Sequence, residues 1–160
     1  MKTRFTLFTL LSGLLLSLQV NAEQSVTFGD YVVHYNAFRS DSIPAEVARR
    51  HGIVRSNHRA VINITVMKRG EDGTTTPIAA QVWGSATNLN NQLNTLHFFP
   101  VREQNAVYYL DQFRIDNNET LKFEIHVNPN PFSTDPTAVG DSGNKSTVET
   151  IRFTQNFYTG

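Results

Sequence analysis

The sequence predicts an all-β protein, an antiparallel immunoglobulin-like β-sandwich of seven to eight strands with one short helix near residues 44–51. Apolar and polar side chains alternate along several short segments, which is the pattern of strands with one dry face and one wet face. The connections after residue 59 are short, as they are between antiparallel neighbours. A small closed barrel is the alternative architecture.

Residues 1–22 predict a secretory signal peptide. Two basic residues precede an apolar run over residues 5–18, and a Val-Asn-Ala ending places small residues around a cleavage site after Ala22. The run is shorter than the roughly 20 residues that a membrane-spanning helix needs. We therefore expect export to the periplasm, no membrane span after cleavage, and a single β-sandwich domain over residues 23–160.

The first predicted strands cover residues 25–28 and 31–38, with Gly29 and Asp30 as a bend between them. Neither face of the second segment is plainly polar, so we expect this strand to be covered on both faces. His34 in this strand is interpreted as a partly buried histidine.

A short helix is predicted over residues 44–51. Pro44 suits a first helical position, and Glu46 suits the positive end of the helix dipole. Arg49 and Arg50 suit the negative end, and Gly52 provides a stop.

Further strands are predicted over residues 59–68, 77–86, 95–101 and 147–158. Trp83 lies off the main apolar row of its strand. Packing between the sheets is one interpretation of Trp83, and a stacking platform for a ligand is the other.

The clearest hairpin lies in residues 106–127. Residues 121–127 alternate between apolar and polar side chains, and residues 107–115 are rich in aromatic and β-branched side chains. Asp116, Asn117 and Asn118 supply the turn between them.

Asp111 conflicts with this pattern because it falls in the apolar row of its strand. An unpaired carboxylate in a core would cost several kcal/mol or take up a proton. We expect a β-bulge near Asp111 and Gln112, which changes which side chains of the strand face the core. A paired structural carboxylate and a catalytic carboxylate are the alternatives.

The sequence predicts a loop over residues 128–146, which contain several prolines and no periodicity, and a loop of this length is usually functional or mobile.

Composition excludes several classes of function. The chain has no cysteine, which removes thiol catalysis, disulfides and thiolate ligands. The formal net charge is +0, so there is no electrostatic case for nucleic-acid binding. The histidines show no metal-binding spacing, and no glycine pattern cradles a phosphate. We expect no metal and no cofactor.

An enzymatic function is the least favoured hypothesis. It would need Asp111, His34 and Tyr35 to converge around one pocket. Residues 140–143, Gly-Asp-Ser-Gly, resemble the nucleophile segment of chymotrypsin-like proteases, but the chain is too short for the two barrels that carry that chemistry. We expect no catalytic residues.

Basic side chains concentrate between residues 49 and 59. The candidate binding residues there are Arg49, Arg50, Arg55, His58 and Arg59. A solvated face paired with nearby carboxylates is one interpretation, and a site for an anion or a protein partner is the other.

The segment GDYVVHYNAFRSDSIPAEVARRHGIVRSNHRAVINITVMKRG, residues 29–70, resembles the family called domain of unknown function 4426. The resemblance continues through residues 86–89, 106–109 and 153–158. It implies a small exported sandwich-like domain of Gram-negative bacteria and supplies no catalytic residue.

These observations predict a periplasmic, non-enzymatic binding or adaptor domain that contacts an envelope protein, with strand edges available for pairing. The alternative is a small-ligand binder for a glycan or an anionic envelope component, with Trp83 as the platform and arginines nearby.

Overall fold

The computed structural model describes residues 24–103, 106–129 and 148–160, which fold mainly as antiparallel strands. The predicted signal peptide lies outside these residues, as does most of the predicted loop over residues 128–146. The strands are β1 (Gln24–Phe28), β2 (Tyr31–Arg39), β3 (Arg59–Arg69), β4 (Thr75–Pro77), β5 (Gln81–Asn88), β6 (Leu93–Leu96), β7 (Phe99–Glu103), β8 (Ala106–Arg114), β9 (Glu119–Asn128) and β10 (Glu149–Phe157).

Two separate sheets form the sandwich. Sheet A has the order β1-β2-β3-β8-β7, with β4 also paired to β3, and sheet B has the order β10-β9-β5-β6. All of these pairs are antiparallel. The predicted antiparallel sandwich is confirmed, and the two sheets do not join into the closed barrel that was the alternative.

The described residues contain ten strands rather than the expected seven or eight, because two predicted strands are each divided. Residues 75–77 pair with β3, and the chain then leaves this ladder before β5 begins at Gln81. The predicted strand over residues 95–101 is split at His97 and Phe98, where the chain passes from β6 in sheet B to β7 in sheet A.

The core lies between the sheets and follows the alternation of the sequence. Sheet A contributes one row of β3 side chains from Ala60 to Val66, and sheet B contributes Phe123, Ile125 and Val127 of β9. Aromatic rings connect the two layers, because Phe113 of β8 packs against Phe123 with ring centroids 5.9 Å apart.

A segment over residues 40–58 crosses the outer face of sheet A. It contains a 3-10 turn, Ser40–Ser42, and one helix, α1 (Ala45–Arg50), which lies within the predicted range. This segment is called the cover segment below. None of the helices in the described ranges has the length and apolar character needed to span a bilayer.

The turn between β3 and β4 is organised by Asp72. The side chain and the backbone N–H of Thr74 both donate hydrogen bonds to Asp72 Oδ1, at 2.7 and 3.0 Å. These bonds favour the ionised carboxylate, so they hold the pKa of Asp72 below its usual value. Gly73 follows with φ +80°, a conformation that suits glycine.

Candidate functional site

The cover segment buries a second, smaller apolar cluster on the outer face of sheet A. Ile43, Ala48 and Ile53 pack on Val61, which is only 1% exposed although it faces away from the main core. Phe38 and Leu110 pack at the margin of this cluster. The outer face of β3 is therefore dry where α1 lies over it.

A cleft of about 390 Å³ remains between α1 and the outer face of sheet A, and it is called the α1 cleft below. Most of its wall is apolar. The lining residues are Phe38, Ile43, Val47, Arg50, His51, Ile53, Val61, Asn63, Val101, Glu103, Tyr108 and Leu110.

Asn63 is the unusual residue of the α1 cleft. Its side-chain oxygen Oδ1 is buried and accepts no hydrogen bond. A buried acceptor without a donor costs roughly 1–3 kcal/mol, so native structures usually supply a partner. Asn63 lines the α1 cleft, so its amide group is next to any molecule that enters the cleft.

Polar side chains lie at one side of this cleft. His51 Nε2 lies 3.3 Å from Glu103 Oε1, and the His51 side chain is 14% exposed. Arg50, His51, Glu103 and Tyr108 also line a shallow groove along β7, so the groove adjoins the α1 cleft. A ligand with an apolar body and a polar end would match this distribution of groups.

The predicted basic residues do not form one surface. Arg49 and Arg50 are exposed in the last turn of α1, and Arg50 lines the α1 cleft. Arg55 donates a hydrogen bond of 2.7 Å to the carbonyl oxygen of Asp41, which holds the cover segment together. Arg59 is half-buried and lines a different cleft at the β8 edge.

His58, the remaining basic candidate, has an exposed side chain. Its backbone N–H donates to Ser56 Oγ at 3.1 Å, and its carbonyl oxygen accepts from Ile115 at 3.1 Å. The residue thus joins the end of the cover segment to sheet A through its main chain.

Trp83 does not pack between the sheets, so that interpretation of the sequence is wrong. It lies on the outer face of sheet B, is 38% exposed and stacks on His126 with ring centroids 5.4 Å apart. His126 is its cross-strand partner in β9. The neighbouring positions on this face carry Glu124 and Arg152, which are joined at 2.9 Å.

The expected bulge at Asp111 is absent. The β3–β8 register runs without interruption, and Asp111 stands opposite Ile62 on the inward row. Its carboxylate accepts the backbone N–H of His97 at 2.9 Å and that of Gln112 at 2.7 Å. The paired structural carboxylate, which was one of the alternatives, is the arrangement found.

The position of this carboxylate explains why it is tolerated. Phe99 of β7 pairs with Leu110, so His97 and Gln112 would form the next hydrogen-bonded pair if the ladder continued. Asp111 accepts both of these N–H groups instead, at the point where the chain crosses between the sheets. The carboxylate therefore ends the β7–β8 ladder.

The structure does not bring His34, Tyr35 and Asp111 together. His34 and Tyr35 are consecutive in β2 and point to opposite faces of sheet A. Tyr35 packs on Phe153 with ring centroids 4.8 Å apart, and β3 separates β2 from Asp111 in β8. The single pocket that an enzyme built on these three residues requires is not formed.

Sequence reasoning did not select Asn63. The available signal was an amide side chain in the middle of a strand, on the same face as Val61. The alternation alone assigned this face to solvent, because the covering by α1 depends on contacts that are distant in sequence.

No group of three or more His, Asp or Glu side chains that could hold a metal ion occurs in residues 24–103, 106–129 and 148–160.

Comparison with known proteins places these features in a family. The model of a family described as "Domain of unknown function (DUF4426)" matches residues 25–160. A crystal structure of a DUF4426 family protein from Pseudomonas aeruginosa PAO1 is similar with 35% identity and a TM-score of 0.65, covering 85% of this chain and 94% of that chain. Among curated proteins, no sequence matches this chain.

A more distant likeness exists to a copper-bound E46Q variant of FetP from uropathogenic Escherichia coli strain F11. The identity is 14% and the TM-score is 0.56, with coverage of 85% of this chain and 95% of that chain. At this identity the likeness concerns the fold alone.

Proposed function

The chain belongs to the DUF4426 family, and on that premise we propose that it is a non-enzymatic binding domain of the periplasm that takes a small ligand into the α1 cleft. One observation carries the proposal, which is the buried Asn63 Oδ1 without a donor in an otherwise mostly apolar wall. The basic-apolar-small pattern of residues 1–22 supports the periplasmic location.

The size and chemistry of the α1 cleft support a small ligand. Its volume of about 390 Å³ is within the range of roughly 300–1,000 Å³ that is typical of ligand pockets. Apolar walls with a few polar groups bind an apolar body by burial and orient it by hydrogen bonds. We propose a ligand with an apolar ring or chain and one hydrogen-bond donor directed at Asn63.

The unpaired acceptor also gives the proposal a stability signature. Replacing Asn63 by Leu removes a buried polar atom that has no partner and leaves a side chain of similar size. We expect this variant to be as stable as the parent protein or more stable, by up to about 1–3 kcal/mol, and to bind the ligand less well.

The test is an NMR titration of isotope-labelled residues 23–160 with indole, phenol and a medium-chain alcohol, each of which combines an apolar body with a donor. We expect saturable shifts at the Asn63 side-chain amide and at Val61. Asn63→Leu should weaken binding of the donor-bearing probes by about tenfold but leave toluene, which has no donor, unchanged.

A pair of matched variants separates the cleft from general surface binding. Val47→Trp places a large side chain at the cleft, whereas Val54→Trp places it at a position that is 55% exposed and does not line the cleft. We expect only Val47→Trp to block the probes. Equal binding by both variants would remove the α1 cleft as the site.

A protein partner is the second candidate function, favoured by the exposure of Arg49 and Arg50 on α1. Within the described part of the chain, neither guanidinium makes a hydrogen bond or an ion pair. Cross-linking and affinity capture from the native periplasm would compare the parent protein with an Arg49→Gln/Arg50→Gln double variant. Unchanged capture by this variant would exclude this surface.

A further inference from the structure

A second cleft follows the edge of β8, where two arginines stand directly opposite each other. Arg59 of β3 and Arg114 of β8 are cross-strand partners. Like charges at such positions repel, so they destabilise the sheet unless something compensates them. The sandwich places this pair at the border of a cleft of about 540 Å³.

The backbone geometry brings the two side chains close. Ile115 donates its N–H to the carbonyl oxygen of His58 at 3.1 Å, so these two residues form a hydrogen-bonded pair. The adjacent pair, Arg59 and Arg114, is then of the non-hydrogen-bonded kind, in which Cα atoms are about 4.5 Å apart and side chains are closest. Two guanidinium groups thus begin from neighbouring points on the outer face of sheet A, and both residues line the cleft at the β8 edge.

Two carboxylates line the same cleft, those of Asp111 and Glu119, and both are hydrogen-bonded to groups other than the arginines. Both Asp111 oxygens accept backbone N–H groups, and Glu119 accepts from Asp116 N–H at 2.8 Å and from Asn88 Nδ2 at 3.4 Å. The ion pairs found in the described ranges involve neither Arg59 nor Arg114. No salt bridge within these ranges therefore joins either arginine to a carboxylate.

The rest of the cleft wall is rich in polar groups. Asn88, Gln92 and Asn94 line it from sheet B, opposite the β8 edge. Amide side chains both donate and accept hydrogen bonds, so they suit a hydroxylated or amide-bearing ligand body. The wall differs from that of the α1 cleft, where most groups are apolar.

We propose that Arg59 and Arg114 together bind an oxyanion, a phosphate or carboxylate group, of a polar ligand whose body lies against the amides of sheet B. Paired guanidinium groups bind such groups through several charge-assisted hydrogen bonds. This site is separate from the α1 cleft and does not depend on the function proposed there.

The test measures binding of inorganic phosphate and of citrate to residues 23–160 at constant ionic strength set with chloride. The chemical shifts of the Arg59 and Arg114 Nε–H resonances, followed until binding is saturated, give the dissociation constant for each anion. We expect both resonances to shift along one binding curve. Arg59→Gln and Arg114→Gln should each raise the dissociation constant by about tenfold or more.

Lys122→Gln is the matched control, because it removes one positive charge from an exposed position in sheet B that does not line this cleft. We expect it to change the dissociation constant by less than about twofold, since screening limits long-range effects between surface charges. An equal loss in Lys122→Gln, or shifts that do not saturate, would overturn the site.

Thermal stability provides an independent measurement, made first without phosphate and then with it. In chloride alone, Arg114→Gln should melt at the same temperature as the parent protein or higher, because it removes a repulsive pair. Added phosphate should raise the melting temperature of the parent protein and of Lys122→Gln but not that of Arg114→Gln. A phosphate response in Arg114→Gln equal to that of the parent would refute the proposal.

Discussion

Asp111 shows how a single carboxylate can occupy a position that the strand period assigns to an apolar side chain. Its two oxygens accept the N–H groups of His97 and Gln112, which lose a regular ladder partner where the chain changes sheets. A carboxylate is suited to this role because it has acceptors only, whereas an amide has one acceptor. The side chain is therefore a structural part of the crossover.

Replacement of Asp111 by Asn tests this role. The amide leaves one of the two N–H groups without an acceptor, so we expect a loss of roughly 1–3 kcal/mol in the free energy of unfolding, measured by urea denaturation. Asp116→Asn, an exposed change in the β8–β9 turn, should stay within about 0.5 kcal/mol. Similar losses in both variants would contradict the assigned role.

The Asp111 result also shows what the sequence could and could not predict at this scale. The alternation placed the residue on the inward row correctly. The bulge was inferred wrongly because nothing local to residues 95–101 indicates that the chain passes from one sheet to the other there. Asn63 was missed for the same kind of reason, since its burial depends on the remote α1.

Among the elements, the cover segment converts the outer face of sheet A from a solvent surface into the wall of a cleft. Ser40 is fully buried and joins the beginning of the cover segment to its end. Its hydroxyl donates to the carbonyl oxygen of Val54 at 2.8 Å and accepts the N–H of Ser56 at 3.0 Å. The Gln112 side chain pairs with both backbone groups of Val54, at 2.6 and 3.2 Å. These contacts hold the cover segment, which includes α1, on the outer face of sheet A.

Ser40→Ala is expected to destabilise the protein by about 1–3 kcal/mol, because the N–H of Ser56 loses its acceptor and the carbonyl oxygen of Val54 keeps only the Gln112 donor. Hydrogen exchange should show faster opening of residues 53–58 than of β3. Ser42→Ala is the control, since this exposed hydroxyl donates to the carbonyl oxygen of Arg39 at 2.7 Å and its loss can be replaced by water. Equal exchange in both variants would argue against Ser40 as the anchor.

The helix of the cover segment was predictable, because capping and charge signals are local. The expected range of residues 44–51 agrees with α1 at Ala45–Arg50. The surface on which the helix packs was not predictable. Val61 alternates with Ile62 in a strand, and only the arrival of Ile43, Ala48 and Ile53 makes it a buried residue.

At the scale of the whole molecule, aromatic packing connects the two sheets. Phe123 stacks on Phe153 with ring centroids 4.7 Å apart and also contacts Phe113 from the opposite sheet. Phe157 packs against Phe113, and Tyr35 packs against Phe153, so the cluster includes both residues. The layers are therefore expected to unfold as one unit.

Phe123→Ala should lower the free energy of unfolding by about 3–5 kcal/mol, because it leaves a cavity at a residue that is 2% exposed. Backbone signals from both sheets should disappear in a single transition with the same midpoint. Leu89→Ala, at a position that is 65% exposed, should change stability by less than about 0.5 kcal/mol. Separate midpoints for the two sheets would contradict a shared core.

The sandwich and the family were both anticipated by the sequence, since strand periodicity and the motifs of residues 29–70 are visible in one chain. The order of the strands was not. Pairing of β3 with β8 and of β5 with β9 joins segments that are far apart in the chain. Such pairs arise from the fit of the two inner faces, which a local pattern does not contain.

Trp83 is an intrinsic fluorescent reporter of its local environment on the outer face of sheet B. It is the only indole of the chain, and it lines neither the α1 cleft nor the cleft at the β8 edge. Its emission should therefore remain constant while either cleft fills, and should change when β5 separates from His126 of β9. Occupancy and melting can thus be followed in one sample at different wavelengths, with a fluorescent ligand reporting the first and the tryptophan the second.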